Sequence, residues 1–404
     1  MAWANFSDLY KLLAPRILTC GKNGTLYDGV MIIGGGRILW IGNQSEAPKI
    51  YCPEYKVPGN MTVIPGMINA HAHLHHHHVY READNLKGMD LLNFLSGVKR
   101  KSSEKDMFGA IKSGIHECLS SGITTCVNNF PLFIPPIFDR GVRFGIRMVD
   151  LTVVKNYTDL RSVIRRVFPD GIHGSPPLKW RGIFLHTPIG VDSRTVEWIC
   201  ELRRRSNIPV GMHFLEFPEE MDYFAKWGAG SIAEEGRGHS ISNPSTSINN
   251  LLRLNILAIH CNYLRKKSSV WDAALQANIV ICPRSTIRLQ NPLPSIKSLI
   301  DVGSNIIVAS DSRSVAGSIN LFEELRLLER YQPLSMPFES KIKLVTKNAA
   351  DALGLESEIG SLDLNSYADF VIITDPDDFL RKSPVVQYTF VGGRLRYSSS
   401  SGAI

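Results

Sequence analysis

The 404-residue chain predicts an α/β fold, a parallel (β/α)8 barrel of the TIM type, with a small β-sandwich subdomain formed from both chain ends. Three observations carry that expectation. Eight apolar runs of strand length recur with helical stretches between them. Several of these runs end in a histidine or an aspartate, which is where such a barrel builds its active site. Both ends of the chain change to short alternating strands around glycines, a texture that does not belong to parallel strands buried on both faces.

The elements follow in order. Residues of roughly 14 to 55 (RILTCGKNGTLYDGVMIIGGGRILWIG and beyond) read as short strands joined by glycine turns. The eight runs come next: VIPGMINA, ITTCVNN, VRFGIRMV, GIFLHT, IPVGMHF, NILAIH, NIVICP and NIIVAS. Their near-continuous apolar character is what strands covered on both faces require. Between them, Asp106 to Ser120 and Asp192 to Ser206 carry apolar residues at helical spacing. Ser340 to Leu355 reads as one amphipathic helix closed by a glycine stop. The tail returns to strand texture in YADFVIIT and QYTFVGGRLRY, and neither end is long enough to be stable alone, so the two ends are expected to pair. The expected boundaries are 1–62 and 361–404 for the subdomain and 63–360 for the barrel.

Composition narrows the class. The chain is 44% hydrophobic and 21% charged, has no apolar run of eighteen residues, and begins MAWANFSDLYKLLAP without a basic start leading into an apolar core. A cytoplasmic enzyme is the expectation. The seven cysteines are scattered, odd in number and mostly set in apolar patterns, which argues against a disulfide framework or a Cys-x-x-Cys metal site. The net charge of +7 is spread out, and the basic stretches KRKSSEK and Arg203 to Arg205 read as solvated helix faces. Nucleic acid and membrane are therefore not expected as partners.

The chemistry starts at VIPGMINAHAH, where His71 and His73 stand two apart at the end of an apolar run and so project to one side. Alone, such a pair is more often loop than ligand. It gains weight because His213 ends IPVGMHF, His260 ends NILAIHC and Asp311 ends NIIVASD. Imidazole and carboxylate suit a borderline divalent ion such as zinc, and a few protein ligands leave a position open for water.

These residues, with PGMINAHAHL, HFLE, AIHCNYL, CPRS, SDSRSVAGSINLFEELRLL and TKNAADALGLESEIGSLDLNSYADFVIIT in that order, resemble the amidohydrolase superfamily over nearly the whole chain. The resemblance is to its mononuclear deaminase and chlorohydrolase branch, the cytosine deaminase-like and adenosylhomocysteine deaminase-like enzymes. It implies that His71, His73, His213 and Asp311 bind one zinc or iron ion, while Glu216, His260 and Asp311 act on water and substrate. A two-metal relative would need a lysine at the end of the fourth strand; that strand reads GIFLHTP, with His186. Two departures bear on substrate rather than chemistry: the run His75 to His78, and Ser285-Thr286 where many relatives have Ser-Asn.

A bound divalent ion lowers the pKa of its water from 15.7 to about 7. The resemblance implies that Asp311 and His260 hold the resulting hydroxide, and that Glu216 collects its proton and passes it to a ring nitrogen. Glu219, Glu220 and Asp222 read as solvated acids of the run EFPEEMD. His186, Arg284, Ser285 and Arg313 are the candidate substrate contacts, the guanidiniums being suited to a carboxylate, phosphate or carbonyl. His75 to His78 are expected to line the entrance or to be solvated, and His116, His173 and His239 to be ordinary surface histidines. The reading is a deaminase of a nitrogen heterocycle: an adenine nucleoside derivative, purine, pterin or triazine. Chloride displacement or opening of a cyclic amide is the alternative within enzymes, and a non-catalytic scaffold the alternative outside them. The partner is a small heterocycle, with a homodimer left open.

Overall fold

The computed structural model describes residues 8–130, 144–156, 160–164, 179–206, 208–228, 244–374, 376–377, 379–400 and 402–403. Two sheets organise them. The first contains β1 (Leu9–Leu18), β2 (Thr25–Gly34), β3 (Arg37–Asn43), β4 (Glu54–Lys56) and β5 (Met61–Pro65) from the start of the chain. From its end come β14 (Phe370–Thr374), β15 (Val386–Val391), β16 (Arg394–Ser398) and β17 (Gly402–Ala403). The two sets join where β14 pairs antiparallel with β5, Ile372 opposite Val63. Tyr10, Leu12, Ile17, Met31, Phe370 and Phe390 form the core of this sandwich-like subdomain, with the last two rings stacked 4.3 Å apart.

The second sheet is the parallel barrel: β6 (Met67–Ala72), β7 (Ile123–Phe130), β8 (Arg147–Val154), β9 (Lys179–Leu185), β10 (Val210–Phe214), β11 (Leu257–His260), β12 (Asn278–Ile281) and β13 (Ile306–Val308), paired in chain order. Ile68, Val127, Val149, Phe184, Ile259 and Val280 fill its interior. Hydrogen bonds tie the last strand region to the first. Asn69 and Ser310 exchange two bonds (2.7 and 3.1 Å), and the Asp311 N–H donates to the His71 carbonyl at 3.1 Å.

Three sequence expectations need correction. The run VIPGMINA is not one strand but two, β5 in the subdomain and β6 in the barrel. They are divided at Gly66, where a Cβ would lie 2.1 Å from the Thr124 hydroxyl. The third barrel strand begins at Arg147 rather than Val142, because Gly145, at φ +71, turns the chain just before it; Val142 and Arg143 lie outside the described residues. The single helix expected over Ser340 to Leu355 is broken at Thr346 into Phe338–Lys343 and Lys347–Leu353. That break frees the Leu344 and Val345 carbonyls to accept from Val308 and Ile68, bridging the last and first barrel strands. The glycine stop is present as Gly354, at φ +69.

The subdomain is bolted to the barrel by a buried ion pair. Arg147, at the start of β8, donates from Nε and Nη2 to the two oxygens of Asp369 at 2.6 and 3.0 Å, and its guanidinium lies 3.8 Å from the centre of the Tyr367 ring. Both charged side chains are almost wholly shielded from water. Asp369→Ala would strand a buried guanidinium, so it is expected to lower unfolding free energy by about 3–5 kcal/mol in a urea titration. Adding Arg147→Met to that variant should recover most of the loss, since an apolar replacement of a buried pair is close to neutral.

Candidate metal centre and active site

Each polar side chain of the site is delivered by a local device at a strand end. In β6, Ile68 and Ala70 pack inside the barrel and Met67 and Ala72 outside it. His71 nonetheless stacks on the interior Phe184, with ring centres 5.9 Å apart. The change of side coincides with a slip in the pairing of β6 with β7 between Asn69 and Ala72. A bulge of this kind re-aims side chains, and here it turns His71 and then His73 into the mouth. His260 and Asp311 both adopt left-handed backbone, at φ +78 and +62, a conformation uncommon for residues with side chains. Leu215, between His213 and Glu216, does the same at φ +49.

The result is a tight cluster. His213 Nε2 lies 3.3 Å from His71 Nε2, and Asp311 Oδ1 lies 3.6 Å from Nε2 of both His71 and His73. His260 Nε2 lies 3.5 Å from Glu216 Oε1. Ligand atoms of His71, His213 and His260 fall within 4.8 Å of one another, as do those of His71, His73 and Asp311. All six side chains are buried except His73, which is 16% exposed. Burial dominates their acidity: it holds His71, His73 and His213 well below the usual imidazole range and pushes His260 down to about 3. It raises the Glu216 carboxyl well above its usual range, helped by the charges of Asp311 and Glu220. Asp311 rises to about 6 through burial, opposed by hydrogen bonds donated by the Ser285 hydroxyl (2.6 Å) and the Ser312 N–H (2.7 Å).

Neutral imidazoles facing a carboxylate suit a divalent cation. The surroundings of His71 test that fit. Asn129 Nδ2 sits 2.6 Å from His71 Nδ1, while the buried Asn129 Oδ1 has no hydrogen-bond partner. Turning the amide over puts Oδ1 against an Nδ1–H and leaves the lone pair of Nε2 directed at the cluster. Asn129 was not singled out from the sequence, where it is one of two asparagines in an apolar run.

The remaining candidates separate into three groups. His186, exposed at the end of β9, packs edge-on against His213 at 5.3 Å and lines the cavity. Ser285 is fully buried and serves Asp311 from behind. Arg284 turns away from the cavity to the buried Glu324 (2.8 Å) and to Ser318, while Arg313 binds Glu117 (2.7 Å) and covers the Tyr80 ring. Neither guanidinium lines the cavity, because each finds a carboxylate on a neighbouring helix. His75 and His77 are buried rather than solvated, His77 beside Glu117 at 3.2 Å, and of that run His76 lines the cavity. His116 is exposed; His173 and His239 lie outside the described residues. Glu220 is not a solvated acid: it is buried, and its carboxylate accepts the N–H groups of Leu215 and Glu216. The signal for it was Pro218, which starts a helix and puts Glu220 in the first turn. Arg203 is half-buried, bonded to the carbonyls of Leu254 and Ile208.

The cavity over this cluster measures about 270 Å3. Beside the polar cluster, it is lined by an apolar group: Leu92, Leu95, Phe217, Leu289 and Val315. Among the described residues no helix is long and apolar enough to cross a membrane.

Known proteins resemble the chain along its length. It is 24% identical to a 5-methylthioadenosine/S-adenosylhomocysteine deaminase of Pyrococcus furiosus, over 97% of this chain and 92% of that one. An adenosine deaminase of Xanthomonas campestris with bound zinc superposes with a TM-score of 0.80 at 18% identity, over 98% and 94% of the two chains. The zinc complex of an atrazine chlorohydrolase variant of Arthrobacter aurescens also gives 0.80, at 15% identity, over 96% and 95%. The model of the Amidohydrolase family matches residues 62–396, with the buried histidine and carboxylate cluster inside that span, and the chain belongs to that family.

Proposed function

We propose that the protein is a metal-dependent deaminase that releases ammonia from an adenine nucleoside derivative, with the catalytic barrel running from β6 to residue 360 and the segments before β6 and over 361–404 as its small companion. The observation that carries the reading is a pair of ligand clusters that share His71, one with His73 and Asp311 and the other with His213 and His260, with Glu216 beside His260. The names of the similar deaminases support the substrate class. His71, His73, His213 and Asp311 would hold one divalent ion, with zinc preferred to iron for a set of three imidazoles and a carboxylate. When bound, the ion supplies acidity to water at neutral pH.

The chain's own residues do the rest. Burial raises the proton affinity of the Glu216 carboxylate; beside a bound cation it would rest ionised, so it can take a proton from water and return it to the ring nitrogen beside the attacked carbon. Asp311, fixed by Ser285 and Ser312, takes the second proton of that water and delivers it to the departing amine, so that water and amidine become carbonyl and ammonia. His260 orients the oxygen from the other side. The apolar wall of Leu92, Leu95, Phe217, Leu289 and Val315 would receive the far end of the substrate, which favours an adenosine carrying an apolar 5′ group. Displacement of chloride from a triazine needs the same water and is the second reading, supported by the shared fold of the chlorohydrolase variant.

An ammonia-release screen of the metal-loaded protein against adenosine, 5′-deoxyadenosine, 5′-methylthioadenosine, S-adenosylhomocysteine and chlorotriazines decides between them. Turnover of 5′-methylthioadenosine is the expected outcome; chloride release without ammonia from any adenosine would reverse the order of the two readings. Elemental analysis should find one equivalent of metal. Dialysis against a chelator should lower the thermal midpoint and zinc should restore it, since a ligand at a thousand times its Kd stabilises by about 4.1 kcal/mol. His73→Ala should abolish the restoration.

Glu216→Gln should keep its metal and lose at least about 100-fold in kcat, because the nearly isosteric amide cannot relay a proton. Near-normal turnover by this variant would remove Glu216 from the mechanism.

A further inference from the structure

Glu216 stands on a turn that leaves the barrel with Leu215 in a left-handed conformation, at φ +49. A leucine does not hold that backbone without support. The support comes from both sides of the turn. On one side the two carboxylate oxygens of Glu220 accept the N–H groups of Leu215 at 2.8 Å and of Glu216 at 3.1 Å. On the other side Asn262 Nδ2 donates to the Glu216 carbonyl at 3.2 Å, and the Thr286 hydroxyl donates to Asn262 Oδ1 at 3.0 Å. The Leu215 carbonyl accepts the Tyr263 N–H at 3.1 Å. Glu220, Asn262 and Thr286 are all buried, so these bonds do not compete with water.

We propose that Glu220, with Asn262 and Thr286, forms a brace whose function is to position the Glu216 carboxylate, and that Thr286 is a working member of the site rather than a neutral departure from the Ser-Asn of relatives. The brace spans three strand ends. Glu220 follows β10, Asn262 follows β11 and Thr286 follows β12, so Glu216 is held by the same barrel mouth that gathers the histidines. Glu220 touches none of the reacting atoms on this reading; it acts through the backbone of Glu216. The inference rests on the proposed deaminase chemistry only for its effect on turnover, since the brace itself is a property of the folded chain.

The test therefore has two arms, both on the full-length metal-loaded protein. In hydrogen–deuterium exchange, the amides of Leu215 and Glu216 should be protected in the parent and exchange faster in Glu220→Gln, which presents an NH2 group to one of the two N–H donors. In steady-state kinetics on the adenosine derivative that the parent turns over, Glu220→Gln should lose on the order of 10- to 100-fold in kcat, the scale of a misplacement of about 1 Å, with KM nearly unchanged and metal content intact. Thr286→Val, close in shape and removing only the hydroxyl, should lower kcat in the same direction by a smaller factor, and it serves if Glu220→Gln fails to fold. Unchanged exchange at Leu215 and Glu216 would overturn the brace. Faster exchange with an unchanged kcat would overturn its positioning role. A parent that deaminates nothing would sink the functional reading instead, and exchange alone would then judge the brace.

Discussion

Taking titratable groups out of water is the constraint around which the barrel mouth is organised. Six of them, four imidazoles and two carboxyls, share a space where nitrogen and oxygen atoms stand 3.3 to 3.6 Å apart. Burial disfavours the charged form of each, so the imidazoles are held neutral and able to offer lone pairs to a cation. Such a cluster does not hold its shape unaided. The Asp311 N–H to His71 carbonyl bond joins the last strand to the first, and left-handed backbone at His260 and Asp311 is kept in place by the surrounding pairing. Much of the precision of the fold is spent on keeping these six groups close and dry.

The cavity has two characters that come from different parts of the chain. Strand ends supply the polar floor. The apolar wall comes instead from Leu92 and Leu95 of the helix Gly88–Lys101, Phe217 just after β10, Leu289 after β12 and Val315 after β13. Chemistry is thus tied to the barrel's hydrogen-bond network, while the shape of the apolar lining depends on residues that pack through apolar contact and tolerate substitution of similar volume.

What was legible in the sequence follows from what local pattern encodes. All eight barrel strands were visible because a strand buried on both faces must be apolar along its length, and the histidines and Asp311 were visible because they interrupt those runs at their ends. The pairing of the two chain ends followed from their shortness. The misplaced residues failed for a different reason. Arg284 and Arg313 have long side chains whose direction is set by Glu324 and Glu117, partners 40 and 196 residues away in the chain. Glu220 looked like one acid among several, since the difference between a solvated carboxylate and one that caps a turn lies in tertiary burial. The bulge that turns His71 inward has no composition of its own.

The first sheet has a further consequence for how the molecule comes into being. Strand β5 is flanked by β1 on one side and by β14 on the other, and more than three hundred residues separate β5 from β14. During synthesis from the N-terminus, Met61–Pro65 therefore emerges long before its second neighbour exists, with one row of backbone donors and acceptors open along an apolar strand. Such an edge invites pairing with other chains. The closing pairing between the ends also joins residues far apart in sequence, a slow kind of contact to form. The same clasp that completes the finished sheet thus leaves β5 with an open edge until β14 has been made.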